Sequence, residues 1–303
     1  MKKFIYLVFA LLIFTTTLSS HAALRIITTT QDLASITEML GGDHVQVLSL
    51  TPGTRDPHFA AAKPSMIHKA SQADLLILIG AGLEVGWLPA LIRSARNNKI
   101  QPGNTGYLDI STNIPLLGKI NGPVTRAMGD VHAKGNPHYW LDPRNGIRIT
   151  QAIAKRLSEL DPANSNVYLE RSASFTESIK NKFIDWKEQL LSLKDKPVIA
   201  YHKSYIYLAD AFEFRIVDEV EPKPGIAPSA SSLAALISRI RKENIKLLIM
   251  EPFYEQRSAR YLNEQTGIRI VILPQSVGSL PGINSYIDLF DAIVSTLTDK
   301  QGS

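Results

Sequence analysis

The sequence predicts an α/β protein with two lobes, each built on a parallel sheet flanked by helices, and a long rigid helix that joins the lobes. Three observations support this prediction. Short runs of β-branched residues alternate with helical patterns, which is typical of parallel βα units. The alternation occurs in both halves of the 303-residue chain, and about 150 residues are enough for each lobe to bury a core. Between the halves, a long stretch without glycine favours a single helix.

In the first half, the strand Leu75–Ile79 is apolar throughout. This composition is expected when helices cover both faces of a sheet. The other elements alternate around it. In chain order they are strand Leu24–Thr30, helix Leu33–Leu40, strand Val45–Leu50 and helix Leu83–Ala95.

The second half repeats this alternation of strands and helices. Two stretches with glycine and proline, Gly118–Gly135 and Glu221–Pro228, are predicted to be surface loops. The predicted strands are Val198–Tyr201, Arg215–Val217, Ile245–Met250 and Ile268–Leu273, and the predicted helices are Tyr205–Ala211, Ser232–Glu243, Arg257–Gln265 and Ser285–Leu297.

Between the halves, two Asp-Pro pairs mark the starts of helices. Asp142-Pro143 and Asp161-Pro162 each place an N-cap acceptor before a proline at the first helical position. The glycine-free stretch that follows would form a helix about 45 Å long, which indicates a strut between the lobes. Two shorter helices with a break near Ser172–Ser174 are the alternative. The predicted division is a signal peptide at 1–22, an N-terminal lobe at 23–160, a linking helix at 161–194 and a C-terminal lobe at 195–303.

The first 22 residues have the features of a signal peptide. Lys2 and Lys3 form a basic start, Phe4–Phe14 is apolar, and Ser20-His21-Ala22 offers small residues at the cleavage site. The apolar run is short for a transmembrane span, although an uncleaved N-terminal anchor is the alternative. The mature protein is expected to be exported to a periplasm.

Composition excludes several classes of function. The chain has no cysteine, so disulfides, thiolate zinc sites and lipid attachment to an N-terminal cysteine are excluded. Without the leader, 31 Lys and Arg face 28 Asp and Glu, and no dense basic run indicates nucleic-acid binding. The sequence contains no phosphate-binding loop, zincin helix or nucleophile elbow.

Three histidines stand where ligand sites form in α/β proteins. His58 follows the strand Val45–Leu50, His202 directly follows Val198–Tyr201, and His138 precedes the capped helix at Pro143. Ligands bind outside the carboxyl ends of parallel strands, so facing lobes would bring these imidazoles to one cleft. Imidazole is a common zinc ligand. Three unrelated loop histidines are the alternative.

Several motifs resemble one family along essentially the whole mature chain. They resemble the solute-binding proteins of bacterial zinc and manganese ABC importers, known as cluster A-I. The resemblance implies two α/β lobes joined by a long helix, with a metal bound between them by His58, His138 and His202. The matching motifs are Asp56-Pro57-His58, Lys63-Pro64-Ser65, Ala73-Asp74-Leu75, Gly82-Leu83-Glu84, Trp87-Leu88, Asn136-Pro137-His138, Trp140-Leu141-Asp142-Pro143, His202 and Glu251-Pro252.

Departures from the family pattern bear on the metal. Manganese-binding relatives typically have a glutamate where His202 stands and an aspartate at the position of Gln275. A site rich in imidazole and poor in carboxylate favours zinc over manganese. Gln275, Glu251 and His132 are the candidates for a fourth ligand or for a residue that orients an imidazole, and water is a further candidate for the fourth position. Where some zinc-binding relatives have a long acidic and histidine-rich insertion before Asn136, this chain has Gly129-Asp130-Val131-His132. A solvated loop histidine is the alternative to a ligand role for His132.

The expected function is capture of Zn²⁺ in the interlobe cleft and its delivery to the membrane permease of an ABC importer with its ATPase. The resemblance implies a non-enzymatic monomer with no nucleic-acid partner, and Mn²⁺ is the less favoured cargo. A zinc-dependent hydrolase with Glu251 as general base is one alternative, since three histidines and an open position also form catalytic zinc sites. A metal-binding adhesin is the other.

Overall fold

A computed structural model of the chain describes residues 22–119, 132–221 and 226–299. Within these ranges, two four-stranded parallel sheets form the centres of two lobes, which confirms the predicted fold class. The signal peptide apart from Ala22, and most of the predicted loop Gly118–Gly135, lie outside the described residues. None of the described helices combines the length and the hydrophobicity that a bilayer span requires.

The N-terminal lobe contains a strand that the sequence patterns did not indicate. This strand, β4, has only three residues and lies between a glycine-containing turn and a 3₁₀ helix, Ile110–Asn113, so it gives no periodic signal. The predicted helix Leu83–Ala95 begins later, at Leu88, because the chain runs through turns up to Trp87 and Pro89 stands in the first helical turn. The elements are β1 (Leu24–Thr28), α1 (Gln31–Gly41), β2 (Val45–Ser49), α2 (Pro64–Gln72), β3 (Leu75–Leu78), α3 (Leu88–Ala95) and β4 (Tyr107–Asp109), with strand order β2-β1-β3-β4.

The C-terminal lobe repeats the strand order of the first. All four of its predicted strands are present, and the sheet order β6-β5-β7-β8 matches β2-β1-β3-β4 position for position. In each sheet, the second strand along the chain lies on one side of the first, and the later strands lie on the other side. The switch is between β1 and β3 in one sheet and between β5 and β7 in the other. α/β proteins bind ligands at such switch points. The elements are β5 (Pro197–Ala200), α6 (Ile206–Phe212), β6 (Arg215–Glu219), α7 (Ala230–Glu243), β7 (Leu247–Met250), α8 (Arg257–Thr266), β8 (Arg269–Ile272) and α9 (Tyr286–Thr298).

Two helices connect the lobes, α4 (Pro143–Leu160) and α5 (Ser165–Gln189). Asp142 caps α4 as predicted, by accepting a hydrogen bond from the Arg144 backbone N–H. Asp161 does not cap a helix, because its carboxylate accepts hydrogen bonds from Tyr168 and Asn164, and a 3₁₀ turn precedes α5. Helix α5 is therefore shorter than expected, about 37 Å, but it runs without the alternative break.

The hydrophobic core extends across both lobes. One cluster of buried residues includes Ile26 and Leu33 of the first lobe, Ile249 of the second, and Ile179 and Trp186 of α5. Separate cores for the two lobes, as the sequence suggested, occur only on the outer faces of the sheets. The long helix is thus part of a shared core, which restricts relative motion of the lobes.

A buried polar contact also fixes the lobes to each other. Asp32, in the first turn of α1, accepts hydrogen bonds from the Ser276 hydroxyl at 2.6 Å and the Val277 backbone N–H at 2.9 Å. The preceding residue of this loop, Gln275, donates from its amide to the Gly53 carbonyl at 3.1 Å. Burial raises the pKa of Asp32 to about 6, because it outweighs the stabilising hydrogen bonds.

This contact predicts a specific pH dependence of stability. The folded protein takes up a proton at Asp32 near pH 6, whereas the unfolded chain does so near 3.8. Folding is therefore favoured by acidification between these values, by about 3 kcal/mol for one fully buried group. Urea unfolding of wild type and Asp32→Asn across pH 4–7 should show wild type gaining stability relative to the variant as the pH falls. Parallel pH profiles for the two proteins would contradict this assignment.

Candidate metal centre

The structure brings His58, His138 and His202 together at the junction of the lobes. One ring nitrogen from each lies within 4.8 Å of those of the other two, and the ring centroids are 5.1 to 5.7 Å apart. His138 and His202 are each 4% exposed. We call these three residues the histidine triad. Their juxtaposition is observed, and their role as ligands remains a prediction.

Two of the triad residues are held by the same local motif. In Asp56-Pro57-His58, the Asp56 carboxylate accepts hydrogen bonds from the His58 backbone N–H at 2.9 Å and from ring Nδ1 at 2.7 Å. In Asn136-Pro137-His138, the Asn136 amide oxygen does the same for His138, at 2.9 and 3.0 Å. The side chain two residues before each histidine therefore orients the imidazole.

The third triad residue is oriented by a more distant partner. His202 follows β5, and its ring Nδ1 donates to the Glu221 carboxylate at 2.9 Å. Glu221 lies just beyond β6, the strand that pairs with β5. The two residues are 19 positions apart, and only the sheet brings them together.

These hydrogen bonds define which nitrogen of each ring is available. When Nδ1 donates to a carboxylate or amide oxygen, the neutral imidazole leaves Nε2 as a lone-pair donor. Partners of this kind orient metal-binding histidines and raise their basicity. One ring nitrogen of each triad residue lies within 4.8 Å of those of the other two, which is close enough for one divalent cation to contact all three.

Burial and neighbouring charges set the protonation of the triad. Burial lowers the pKa of His138 well below its usual value of 6.5, and the charges of nearby histidines add to this effect. For His202, burial also acts to lower the pKa, but the hydrogen bond to Glu221 and the charge of Glu251 raise it overall. Burial acts to raise the pKa of Asp56, yet the bonds and charge of His58 lower it overall.

A fourth histidine joins this cluster. Nε2 of His132 lies 3.2 Å from Nε2 of His58, and the two ring centroids are 5.3 Å apart. Burial, followed by the charges of His58 and His202, lowers the pKa of His132 to about 4. The other two mature histidines lie elsewhere: His44 is next to Tyr168, and His68 is exposed on α2.

The other two predicted candidates lie in buried positions with different surroundings. Glu251 follows β7 and is fully buried, and its carboxylate oxygens have no hydrogen-bond partner among the described residues. Burial raises the pKa of Glu251 to about 7, against the opposing charge of His202. It does not orient an imidazole, since Glu221 does so for His202. Gln275 is also buried, and its amide nitrogen is bonded to Gly53 in the other lobe.

Aromatic side chains surround the triad. The Trp140 ring lies 5.2 Å from that of His138. Tyr254 packs 5.8 Å from His202, and its hydroxyl lies 3.4 Å from the Asp56 carboxylate in the other lobe. These apolar rings limit the access of water and so strengthen electrostatic interactions within the site.

The sequence patterns did not indicate Glu221 or Tyr254. Both follow strand ends at the cleft, but neither has a local motif, and Glu221 was included only in a predicted loop. The orienting roles of Asp56 and Asn136 were readable in principle, because both precede Pro-His at the same spacing. An Asp or Asn side chain commonly accepts a hydrogen bond from the backbone two residues later.

The two similar lobes and the buried cluster between them define a solute-binding protein of the two-lobed class. The chain belongs to the family described as ZnuA, zinc-uptake complex component A, periplasmic, which matches residues 26–300. This family provides the exported solute-binding components of metal ABC transporters and not enzymes, so the prediction of a non-enzymatic protein is confirmed, and the hydrolase alternative is not. The cluster A-I resemblance is confirmed at the level of the family.

Individual relatives support this assignment. The chain is 27% identical to the metal ABC transporter substrate-binding lipoprotein ScbA of Streptococcus cristatus over 291 residues, covering 89% of this chain and 88% of that protein. It is 27% identical to the manganese ABC transporter substrate-binding lipoprotein PsaA of Streptococcus pneumoniae over 267 residues, covering 84% and 81%. A crystal structure of ZnuA has a TM-score of 0.76 at 25% identity, covering 93% of this chain and 100% of that chain.

The hydrogen bonds of the triad predict its tautomers. In protein stripped of metal, the three rings should carry a proton on Nδ1, because each Nδ1 faces an acceptor. The neutral form of His138 should persist at pH 6.5, because its pKa is lowered. Nitrogen-15 NMR of the imidazoles distinguishes the two neutral tautomers. Protonation at Nε2 of any triad ring would show that the partner seen here does not hold it.

Proposed function

We propose that this protein is a periplasmic receptor that captures Zn²⁺ with the histidine triad and delivers it to the membrane permease of an ABC importer, which an ATPase drives. The observation that carries the proposal is the convergence of one ring nitrogen from each of three oriented histidines within 4.8 Å. A zinc ion with Zn–N bonds of about 2.0–2.1 Å fits such a group after a small contraction. We further propose that the protein acts as a monomer and has no nucleic-acid partner.

The donor set supports zinc over manganese. Neutral imidazoles suit Zn²⁺, whereas Mn²⁺ prefers carboxylate, carbonyl and water oxygens in octahedral geometry. One of the relatives is a manganese transporter component, so membership in this group of proteins does not by itself assign the cargo. In this chain, the residues at the two positions where manganese-binding relatives typically have carboxylates are His202 and Gln275.

Charge balance is compatible with a divalent cargo that has few anionic ligands. Asp56 and Glu221 each contact Nδ1 of a triad ring. The two negative carboxylates can therefore balance the two positive charges of an ion bound at the other ring nitrogens. Their contribution does not require direct coordination, and it leaves the nitrogen-rich donor set intact. Metal binding must compete with protons at the rings, and the raised pKa of His202 means that acidification weakens binding.

Removal of triad residues tests the capture step. His58→Ala, His138→Ala and His202→Ala should each weaken zinc binding by more than roughly 100-fold, since loss of an orienting partner alone typically costs 10- to 100-fold. Glu221→Gln should fall within that smaller range. Isothermal titration or chelator competition on untagged protein measures the affinities.

His68→Ala is the matched control, because His68 is exposed on α2 and should retain wild-type affinity. A triad variant with full zinc affinity would remove that residue from the site.

Failure of the wild-type gene to restore growth of a deletion strain in zinc-depleted medium would contradict the transport role and would favour the adhesin.

The shared core predicts how the protein responds to zinc. One hydrophobic cluster spans both lobes and α5, and the hydrogen bonds that Ser276 and Gln275 donate to Asp32 and to the Gly53 carbonyl fix this loop across the cleft. Wide hinge closure would break these contacts, so small-angle scattering with zinc and with chelator should give the same overall dimensions. A large compaction on zinc binding would contradict a rigid scaffold.

A further inference from the structure

We propose that Asn136 is a positioning residue that holds two triad residues at once, and that this task requires an amide. One end of the side chain orients His138, and the other end holds the loop that carries His202 in the other lobe. The proposal rests on the proposed function, because it gives Asn136 a role in metal binding by the triad. Its basis is the set of hydrogen bonds around a residue that is 7% exposed.

The two ends of the amide contact different lobes. The oxygen of Asn136 accepts hydrogen bonds from the His138 backbone N–H at 2.9 Å and from ring Nδ1 at 3.0 Å. The nitrogen donates to the Lys203 carbonyl at 2.6 Å, and Lys203 directly follows His202 in the chain. One side chain therefore connects two triad residues that come from different lobes.

The orientation of this amide is fixed by partners that can act in only one way. A backbone N–H can only donate, so the atom that faces the His138 N–H must be the oxygen. A backbone carbonyl can only accept, so the atom that faces Lys203 must be the nitrogen. The reversed amide would pair two donors at one end and two acceptors at the other. Because Nδ1 of His138 then faces an oxygen, this contact also fixes the tautomer of the ring.

The backbone of Asn136 is anchored independently of its side chain. Its N–H donates to the Leu117 carbonyl at 2.8 Å, and its carbonyl accepts from the Tyr207 hydroxyl at 2.7 Å. Tyr207 belongs to α6 in the C-terminal lobe, and its hydroxyl also accepts from the Leu117 N–H at 2.9 Å. Since the backbone is held on both sides, the amide reaches Lys203 from a fixed base.

The other Pro-His motif has a carboxylate at the equivalent position. Asp56 stands two residues before His58 and accepts the same two hydrogen bonds, from the backbone N–H and from ring Nδ1. Its neighbour in the other lobe is a donor, the Tyr254 hydroxyl at 3.4 Å. A carboxylate that only accepts hydrogen bonds fits all of these partners.

A carboxylate would not fit the partners of Asn136. An ionised aspartate at this position could still orient His138, but it would bring a second acceptor oxygen to the Lys203 carbonyl. At the 2.6 Å that separates the present partners, two such oxygens repel. The difference between the two motifs therefore follows from the acceptor that Asn136 meets in the other lobe.

A purely local role, in which Asn136 orients only His138, is the alternative. The two roles give opposite expectations for Asn136→Asp. A local orienting residue improves with a carboxylate, because charged acceptors form stronger hydrogen bonds and raise the basicity of the ring, so zinc binding would be unchanged or tighter. A residue that also holds the His202 loop loses that contact in the variant, so zinc binding weakens.

Zinc affinity and dissociation rate of the untagged protein distinguish these roles. In Asn136→Asp we expect the affinity to fall roughly 10- to 100-fold, as for the loss of other groups that hold metal ligands, and zinc to transfer faster to a chelator in stopped flow. Tyr207→Phe is the matched control, because it removes a hydrogen bond to the backbone of Asn136 and leaves both amide contacts in place. It should lose less affinity than Asn136→Asp.

Nitrogen-15 NMR of the metal-free protein reports on the second triad residue directly. In Asn136→Asp, the ring signals of His202 should shift or broaden, while His138 should keep its proton on Nδ1. Asn136→Ala removes both contacts without burying a charge and should disturb both rings, so it provides the same test if the aspartate destabilises the fold.

Unchanged His202 signals in both Asn136 variants would overturn the proposal, and so would zinc binding by Asn136→Asp that is as tight as in wild type. Either result would leave the proposed function standing, because that function fails only if His58→Ala and the other triad variants keep their zinc.

Discussion

The site depends on one recurrent interaction, the hydrogen bond that holds Nδ1 of each triad imidazole. An imidazole free to rotate could present either nitrogen, and three such rings would lose considerable side-chain entropy on binding a cation. Asp56, Asn136 and Glu221 remove that freedom in advance. The rings are therefore oriented without an ion present, and one nitrogen of each lies within 4.8 Å of those of the other two.

Two of these hydrogen bonds form within a local motif, and the third forms between residues that follow two paired strands. Asp56 and Asn136 each stand two residues before a triad histidine, and the prolines between them, Pro57 and Pro137, fix a backbone angle. The Asn136 amide also donates to the Lys203 carbonyl of the other lobe at 2.6 Å, which orients its oxygen toward the ring. Glu221 instead depends on the parallel pairing of β5 with β6, so one triad partner is set by sheet register.

The difference between local motifs and tertiary contacts explains which features could be predicted from the sequence. Alternating strands and helices revealed both sheets, and strand-end positions indicated His58 and His202. The strand β4 escaped detection because three residues between turns have no periodicity. Asp161 was misassigned as a helix cap, since the acceptor preference of an N-cap does not reveal that Tyr168 would compete for the same carboxylate. Glu221 could not be placed at the site, because its contact with His202 depends on tertiary structure alone.

The shared core also bears on how a tight site can release its cargo. If the lobes were joined only by a flexible linker, opening the cleft would separate His202 from the other ligands. Here α5 packs within a continuous core, and Asp32 joins α1 to the loop after β8 through buried hydrogen bonds. A change in affinity must therefore arise within the cluster itself, where loss of a single hydrogen bond, such as that between His202 and Glu221, frees a ring to turn away. On the proposed function, docking to a membrane partner would disturb only side chains at the cleft, and the scaffold would keep its shape.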